Sequence, residues 1–337
     1  MSDSLIPLVV CLCPVFNEVD YVERTLKGFV EQETTFPFVV VVHDDASTDG
    51  SDKVIMQYAR RYPDIIRAVI EPSGSNMYSK GLLGKKLREL LGEYDCKYVA
   101  KCEGDDFWIN KKKLQMQVEY MESHPECVMC YTDCHVGDSN GRITKKNFIK
   151  RTGKIPQCFE DHLLTAGYIA PPTWLIKSEI YKTLGPYKGL SDASLAMALD
   201  LFQLGDVHYI DEATAVYTNR QGGLSSPKSI GQQWKYERGV FDTQLYIANK
   251  YGCGSELISR LKIQEYAQLM FMAIEVGDKK FVAEAETFFV SQGLDMQWFI
   301  AKCREYVGYH QKYNTVSGSW AYRIGRKLLY PIKNIRR

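Results

Sequence analysis

Tyr98-Val-Ala-Lys-Cys-Glu103-Gly-Asp105-Asp106-Phe-Trp108 places three carboxylates directly behind a short apolar run and follows them with an aromatic pair. Carboxylates crowded at a strand end repel one another unless a cation sits among them. Hard oxygen donors in small number suit Mg²⁺ or Mn²⁺, which keep open positions for the oxygens of a phosphorylated ligand. A nucleotide-diphosphate site is the inference. Taken alone, an acidic pair after a strand is more often a solvated turn, so the reading depends on what surrounds it.

Upstream, Leu8-Val-Val-Cys-Leu-Cys13 is a continuous apolar run, the pattern of a strand buried on both faces of a parallel sheet. Pro14-Val-Phe-Asn17-Glu18 follows, then a helix with Val22, Leu26, Phe29 and Val30 on one face. A second strand, Phe38-Val-Val-Val-Val42, runs into His43-Asp44-Asp45-Ala-Ser47-Thr-Asp49-Gly50. The next helix carries Val54, Tyr58 and Tyr62, with Asp49 or Ser51 as its N-cap. A third strand covers about Ile65 to Ile70, and Asn76 to Leu91 holds a polar turn and another helix. This order predicts a doubly wound α/β sheet whose ligand sits at the carboxyl ends of the strands, where all three polar clusters fall.

Pro14-Val-Phe-Asn17-Glu18, Asp44-Asp45-x-Ser47-x-Asp49-Gly50, and Gly104-Asp105-Asp106-Phe-Trp108 with Lys113-Leu-Gln115 behind it together resemble glycosyltransferase family 2. The resemblance covers roughly residues 5–225, and the three motifs at these intervals are specific in a way that none is singly. It implies an inverting enzyme on a nucleotide-diphospho-sugar transferase (A-type glycosyltransferase) fold, a doubly wound mixed sheet. It further implies that Asp45 pairs with a uridine-type base beside the Pro14 backbone, with Asn17 and Glu18 in the same nucleotide and sugar site. Asp105 would face the ribose and sugar, and Asp106 would hold the metal, Mn²⁺ or Mg²⁺. Glu103 stands where many members have Asp. His43 stands where they usually have an apolar residue and carries no assigned function.

Tyr187-Lys-Gly-Leu-Ser191-Asp192 opens an apolar helix ending near Gly205 and resembles the family's acidic motif, which implies Asp192 as general base. From the residues alone, Asp192 reads first as an N-cap worth about 1 kcal/mol, and the resemblance is what favours catalysis. Asp200 lies inside that helix between apolar residues. Asn219-Arg220-Gln-Gly222-Gly223 resembles the loop that closes over the diphosphate, making Arg220 an anion contact or else an ordinary surface arginine. Trp174 is either a platform for a sugar ring or a core tryptophan.

Composition is ordinary for a globular chain: 337 residues, 45% hydrophobic, 25% charged, net charge +1. Cys127-x-x-Cys130-x-x-x-Cys134-His135 has the look of a zinc ligand set, but as a strand it points Cys127 and Cys130 to opposite faces. Buried thiols are expected, in a reducing cytosol, since no signal peptide precedes the first strand and no run of about 18 apolar residues would span a membrane. Val136 to Pro156 is polar, basic and turn-rich, a solvated hairpin or loop, and the resemblance implies that it lies on the acceptor side.

From Ser229 the periodicity becomes helical, with candidate helices Gln232–Lys250, Ser255–Val276, Asp278–Gln292 and Leu294–Tyr309 and with Gly252, Gly254, Gly277 and Gly293 as C-caps. The final stretch, Gln311 to Arg337, has seven of the 42 basic residues and no acid. It reads as a basic amphipathic tail, suited to an anionic leaflet or packed on the helices before it.

The expected organisation is a catalytic domain over 1–228, a helical appendage over 229–310 and the tail over 311–337. The expected function is metal-dependent, inverting transfer of a hexosyl or N-acetylhexosaminyl group from a nucleotide-diphosphate sugar, UDP-linked. The acceptor would be a hydroxyl of a surface glycan or lipid-linked oligosaccharide at the inner face of the plasma membrane, as in polysaccharide biosynthesis. No nucleic-acid partner is expected, and a homo-oligomer is open. Two alternatives are a nucleotidyltransferase, which would prefer a glycine-rich basic loop after the first strand, and a non-catalytic nucleotide-sugar binding protein, which would not need Asp192.

Overall fold

The run from Val9 to Cys13 has no exposed residue, and it forms the centre of β1 (Val9–Val15). A strand this apolar on both faces needs cover on both, and parallel neighbours linked through helices supply it. β2 (Phe38–Asp44) and β4 (Tyr98–Lys101) flank β1 in parallel, and β3 (Ile66–Ile70) lies outside β2. Beyond β4 the sheet turns antiparallel. β8 (Trp174–Lys177) pairs with β4, and β6 (Cys127–Gly137) pairs with β8. β9 (Asp206–Thr218) then runs parallel to β6, and β5 (Phe107–Trp108) closes that edge. β7 (Ile143–Lys145) hangs from the end of β6. The spatial order is β3-β2-β1-β4-β8-β6-β9-β5. The fold is the mixed α/β sheet expected. In this computed structural model residues 6–153, 155–220, 229–295, 297 and 299–305 are described.

The connecting helices are α1 (Val22–Val30), α2 (Ser51–Arg61), α3 (Leu83–Leu91), α4 (Lys113–Ser123), α5 (Phe148–Thr152), α6 (Phe159–Thr165), α7 (Ser178–Thr183) and α8 (Ala193–Leu204). Helix α1 buries Val22, Thr25, Leu26 and Phe29. It comes so close to β5 that a Cβ on Gly28 would meet the Trp108 carbonyl oxygen at 2.8 Å. Phe29 meets the Trp108 ring edge-on at 4.8 Å. Helix α2 is entered through Gly50 at φ +102°, so neither Asp49 nor Ser51 is the N-cap residue. Asp49 Oδ1 nonetheless accepts the Ser51 N–H at 3.0 Å, which is the satisfaction a cap provides.

The described residues fall into two compact units. The first runs to Gly189 and resumes over Ala193–Arg220. The second takes Leu190–Asp192 and the helices from Ile230 on: α9 (Ile230–Lys250), α10 (Ser255–Val276) and α11 (Lys279–Ser291). Its core is aromatic, with Tyr266 ringed by Phe241, Phe281 and Phe288 and with Trp234 edge-on to Phe281 at 5.0 Å. Gly277 ends α10 in the left-handed conformation as expected, whereas Gly254, at φ −60°, stands at the start of α10 and caps nothing before it. The described part of the fourth helix reaches Glu305, and the basic tail lies outside the described residues.

Two further expectations resolve here. Trp174 is fully buried, and its indole N–H donates to the Ile169 carbonyl at 3.1 Å, so it is a core tryptophan and offers no face to a sugar. Cys127, Cys130 and Cys134 are buried free thiols along β6. Among the described residues no helix is long and apolar enough to cross a membrane.

Candidate active site

Parallel strands leave their carboxyl ends on one edge, and here β1, β2 and β4 each end in a polar cluster. The three clusters are stitched together through the backbone. Gly104 N–H donates to the Pro14 carbonyl at 3.0 Å and Asp45 N–H to the Val15 carbonyl at 3.0 Å. Asn17, held at φ 51°, donates its N–H to Ser47 Oγ and accepts the Thr48 N–H on its side-chain oxygen, both at 2.9 Å. Glu18 N–H donates to Ser51 Oγ at 2.8 Å, and Val19 N–H to Asp49 Oδ2 at 2.9 Å. The residues singled out in the first two motifs thus brace one another across strands.

Asp45 is almost wholly buried, and its two carboxylate oxygens accept the N–H groups of Met77 and Tyr78 at 2.7 and 3.0 Å. It thereby fixes the loop that leads into α3. A carboxylate has about four lone-pair sites, so two donors leave it room for a further one. Its neighbour His43 is buried against Glu71 at 3.1 Å, and Glu71 pairs with Lys86 on α3 at 2.9 Å, which ties the same loop down from behind.

The third cluster is the most crowded. A Cβ on Gly104 would lie 2.2 Å from Glu18 Oε2, so only glycine lets the acid loop close onto β1. Glu18 and Asp105 share one guanidinium. Arg220, at the end of β9, contacts Glu18 Oε1 with its Nη2 and lies 2.6 Å from Asp105 Oδ2 with its Nε, an ion-pair contact without hydrogen-bond alignment. The guanidinium also stacks 4.6 Å from the Tyr21 ring centre.

Asp106 is buried and accepts the Thr218 N–H on Oδ1 at 2.8 Å, while Thr218 Oγ1 donates to the Asp105 carbonyl at 2.6 Å. From the other side, the Thr25 hydroxyl sits 2.8 Å from the Gly104 carbonyl and 2.6 Å from that of Asp106. Behind the loop, the fully buried Lys113 ammonium lies 4.5 Å from the Trp108 ring centre, and burial draws its pKa down to about 8.

The electrostatic state of this cluster follows. Burial, joined by the Asp105 charge, lifts the Glu18 carboxyl to about 8 against the pull of Arg220. Burial also lifts Asp105, again opposed by Arg220. Asp106 is raised well above the ordinary carboxylate range by burial and then by the charges of Asp105 and Glu103. Glu18 Oε2 is buried without a hydrogen-bond partner. Such a cluster is short of positive charge.

Among the described residues no three His, Cys, Asp or Glu side chains form a cage for an ion. Mg²⁺ and Mn²⁺ need none, since one or two carboxylates plus substrate phosphates suffice. The donor set therefore fits a divalent metal carried in with a diphosphate.

Asp192 belongs to the second unit, where it accepts a hydrogen bond from the Tyr236 hydroxyl at 3.3 Å. Asp200, in contrast, is buried within α8 and accepts the Tyr187 hydroxyl at 2.8 Å, a structural role. Thr25 and Thr218 escaped the sequence reading. Thr25 had a signal, being the polar residue on the apolar stripe of Val22, Leu26 and Phe29. Thr218 had none, because its partners lie more than a hundred residues away.

A model described as glycosyl transferase family 2 matches residues 11–185. The putative teichuronic acid biosynthesis glycosyltransferase TuaG of Bacillus subtilis is 30% identical over 126 residues, 37% of this chain and 46% of its own. The chain spans about a third to just under half of the length of the first curated relatives it matches. Among solved structures, residues 1–349 of Staphylococcus aureus TarS in complex with UDP-GlcNAc superpose with a TM-score of 0.53 at 16% identity, over 91% of this chain and 92% of that one. The mannosyltransferase PcManGT of Pyrobaculum calidifontis, in complex with GDP-Man and Mn²⁺, gives 0.54 at 15% identity over 92% and 88%. At these identities the two likenesses speak to the fold.

Proposed function

The chain belongs to glycosyltransferase family 2, and from that premise we propose that it moves a sugar from a nucleotide-diphosphate donor, UDP-linked, to a hydroxyl of a glycan or lipid-linked acceptor. The observation that carries the reading is the meeting of three strand-end clusters at one edge of the sheet, where the carboxylates outnumber the cation among them. Names of relatives and neighbours agree with it: TuaG is described as a teichuronic acid glycosyltransferase, and the two solved structures hold nucleotide sugars.

In this reading Asp45 keeps acceptor capacity for the uracil N3–H, with Pro14 and Asn17 shaping the floor beside it. Asp106, oriented by Thr218 and Thr25, is the metal carboxylate, and Asp105 faces the ribose and sugar. The metal, Mn²⁺ or Mg²⁺, supplies Lewis-acid stabilisation of the departing diphosphate. Arg220 is the movable cation: it neutralises Glu18 and Asp105 before the donor binds and turns to the diphosphate afterwards. Asp192 takes the proton from the attacking hydroxyl, and a single displacement inverts the anomeric centre. The basic tail gives a peripheral contact with an anionic membrane face.

Calorimetry and turnover of two variants test the assignment together. Asp106→Asn should weaken Mn²⁺-dependent UDP binding at least ~10²-fold, and Asp192→Asn should leave that binding intact while lowering kcat by ~10²–10⁴. Metal-dependent affinity unchanged in Asp106→Asn, or near-normal turnover in Asp192→Asn, would remove the residue concerned from the mechanism.

A further inference from the structure

The hairpin that follows β6 carries Arg142, Lys145, Lys146, Lys150 and Arg151 against a single acid, Asp138. All five cations are exposed. Their scaffold is fixed. β7 pairs with β6 through Val136–Lys145 and Gly137–Ile143. The buried Asp133 carboxylate accepts the N–H groups of Ile149 and Lys150 at 2.9 and 3.2 Å, which anchors α5.

The acids that face the hairpin are already committed. Asp138 Oδ1 accepts the N–H groups of Asn140 and Arg142, both at 2.9 Å. Asp211 pairs with Lys150 at 2.5 Å. Among the described residues Arg142, Lys145, Lys146 and Arg151 have no ion-pair partner.

Position gives this charge its meaning. Gly137, where the hairpin starts, is in register with Thr218, whose N–H holds Asp106. Arg24 bridges the same two features: its Nη2 donates to the Ser139 carbonyl at 3.2 Å, and its guanidinium lies 5.3 Å from the centre of the Phe107 ring, the residue after Asp106. A Cβ on Gly141 would meet that guanidinium at 2.8 Å, so the turn is shaped to it. Four cations without an ion-pair partner, one of them (Lys145) resting 6.0 Å from the Phe148 ring centre, stand on an ordered arm at this edge and draw an anion in.

We propose that this hairpin is an acceptor-recognition arm and that the acceptor is an anionic glycan, one bearing phosphate or carboxylate groups along its chain. The inference rests on the glycosyltransferase reading and names the acceptor class for that same site. Arginine matches the planar oxygens of either group bidentately, and lysines add point charge.

The test uses the full chain and four fluorescent probes: an oligogalacturonate, a phosphomannan, neutral dextran and phosphatidylglycerol vesicles. Wild type should bind one or both anionic glycans in a salt-sensitive way and ignore dextran. The variant Lys145→Glu/Lys146→Glu/Arg151→Glu should lose that affinity by at least ~10-fold at physiological ionic strength, where the screening length is about 8 Å. UDP binding should remain unchanged. A matched variant, Arg323→Glu/Arg326→Glu/Lys327→Glu, should keep the glycan affinity, which separates the arm from the tail. The oligogalacturonate and the phosphomannan distinguish carboxylate from phosphate as the recognised group.

The proposal falls if the hairpin variant binds the anionic glycans as wild type does. It falls equally if neither glycan binds, or if the hairpin variant loses only vesicle binding. Because UDP binding in the presence of Mn²⁺ is read on the same samples, its absence in wild type would sink the UDP-donor reading, whereas its presence beside a glycan failure would sink only the acceptor assignment.

Discussion

Two neighbouring regions of the same strand edge hold charge in opposite ways. At the ends of β1 and β4, Asp106 is buried and Glu18 and Asp105 are largely so, with one guanidinium between the latter two and backbone N–H and hydroxyl groups fixing the first. On the hairpin after β6, cations of one sign stand in solvent on a braced support. Buried like charges cost folding energy and remain only where something else compensates. Exposed like charges cost little. The charge balance of the acid cluster is thus tied to one residue, whereas the hairpin's charge is spread over several that the fold can do without.

Replacing that residue should have the largest effect on stability. Arg220→Gln leaves Asp105, and Glu18 wherever it is ionised, without a counter-ion. Breaking a fully buried pair costs ~3–5 kcal/mol, and the 30% exposure of the Arg220 side chain reduces this to about 2 kcal/mol in denaturant unfolding. Because the deficit is one of positive charge, Mn²⁺ should recover part of it in the variant and add less to wild type. Wild-type stability in Arg220→Gln, or a deficit indifferent to Mn²⁺, would break the comparison at its acidic side.

The elements behind this contrast were unequally legible. Strands β1 and β2 announce themselves because a strand covered on both faces must be apolar along most of its length, and α10 because Gly254 and Gly277 bracket one continuous helical pattern. β5 and β8 do not. Phe107–Trp108 and Trp174–Lys177 are too short to show a period, and they become strands only because β9, β4 and β6 present paired edges. The acids were legible as a motif, but their restraint was not: Arg220 meets Glu18 across 202 positions, and only the fold places them together. The same holds for Trp174, whose sequence admits a sugar platform that its full burial excludes.

A pH series sharpens the acidic side further. The folded Glu18 carboxyl titrates near 8 and an unperturbed one near 4.5, so between those values the folded state holds a proton that the unfolded chain has released. Stability therefore falls as pH rises through that window. Glu18→Gln carries no such proton. The variant's stability relative to wild type should accordingly climb from pH 5 to pH 8, by ~1–2 kcal/mol once sharing of Arg220 is allowed for. A flat difference would mean that Arg220 alone keeps Glu18 ionised.

The smallest effect belongs to the hairpin, and its smallness is the point. Lys145, Lys146 and Arg151 are exposed, and none contacts an acid among the described residues, whereas Lys150 is left out because Asp211 holds it. Exposed charges of this kind contribute little to folding, and reversing them relieves mutual repulsion as readily as it adds any. The triple reversal to glutamate should shift unfolding free energy by less than ~0.5 kcal/mol, with its melting curve superposed on wild type at physiological salt. A residue kept for stability would show there, and one kept for recognition would not. Should the variant lose 2 kcal/mol or more, the cations would have to be bracing the hairpin, the two regions would no longer differ in kind, and the acceptor arm would lose its separation from the scaffold that carries it.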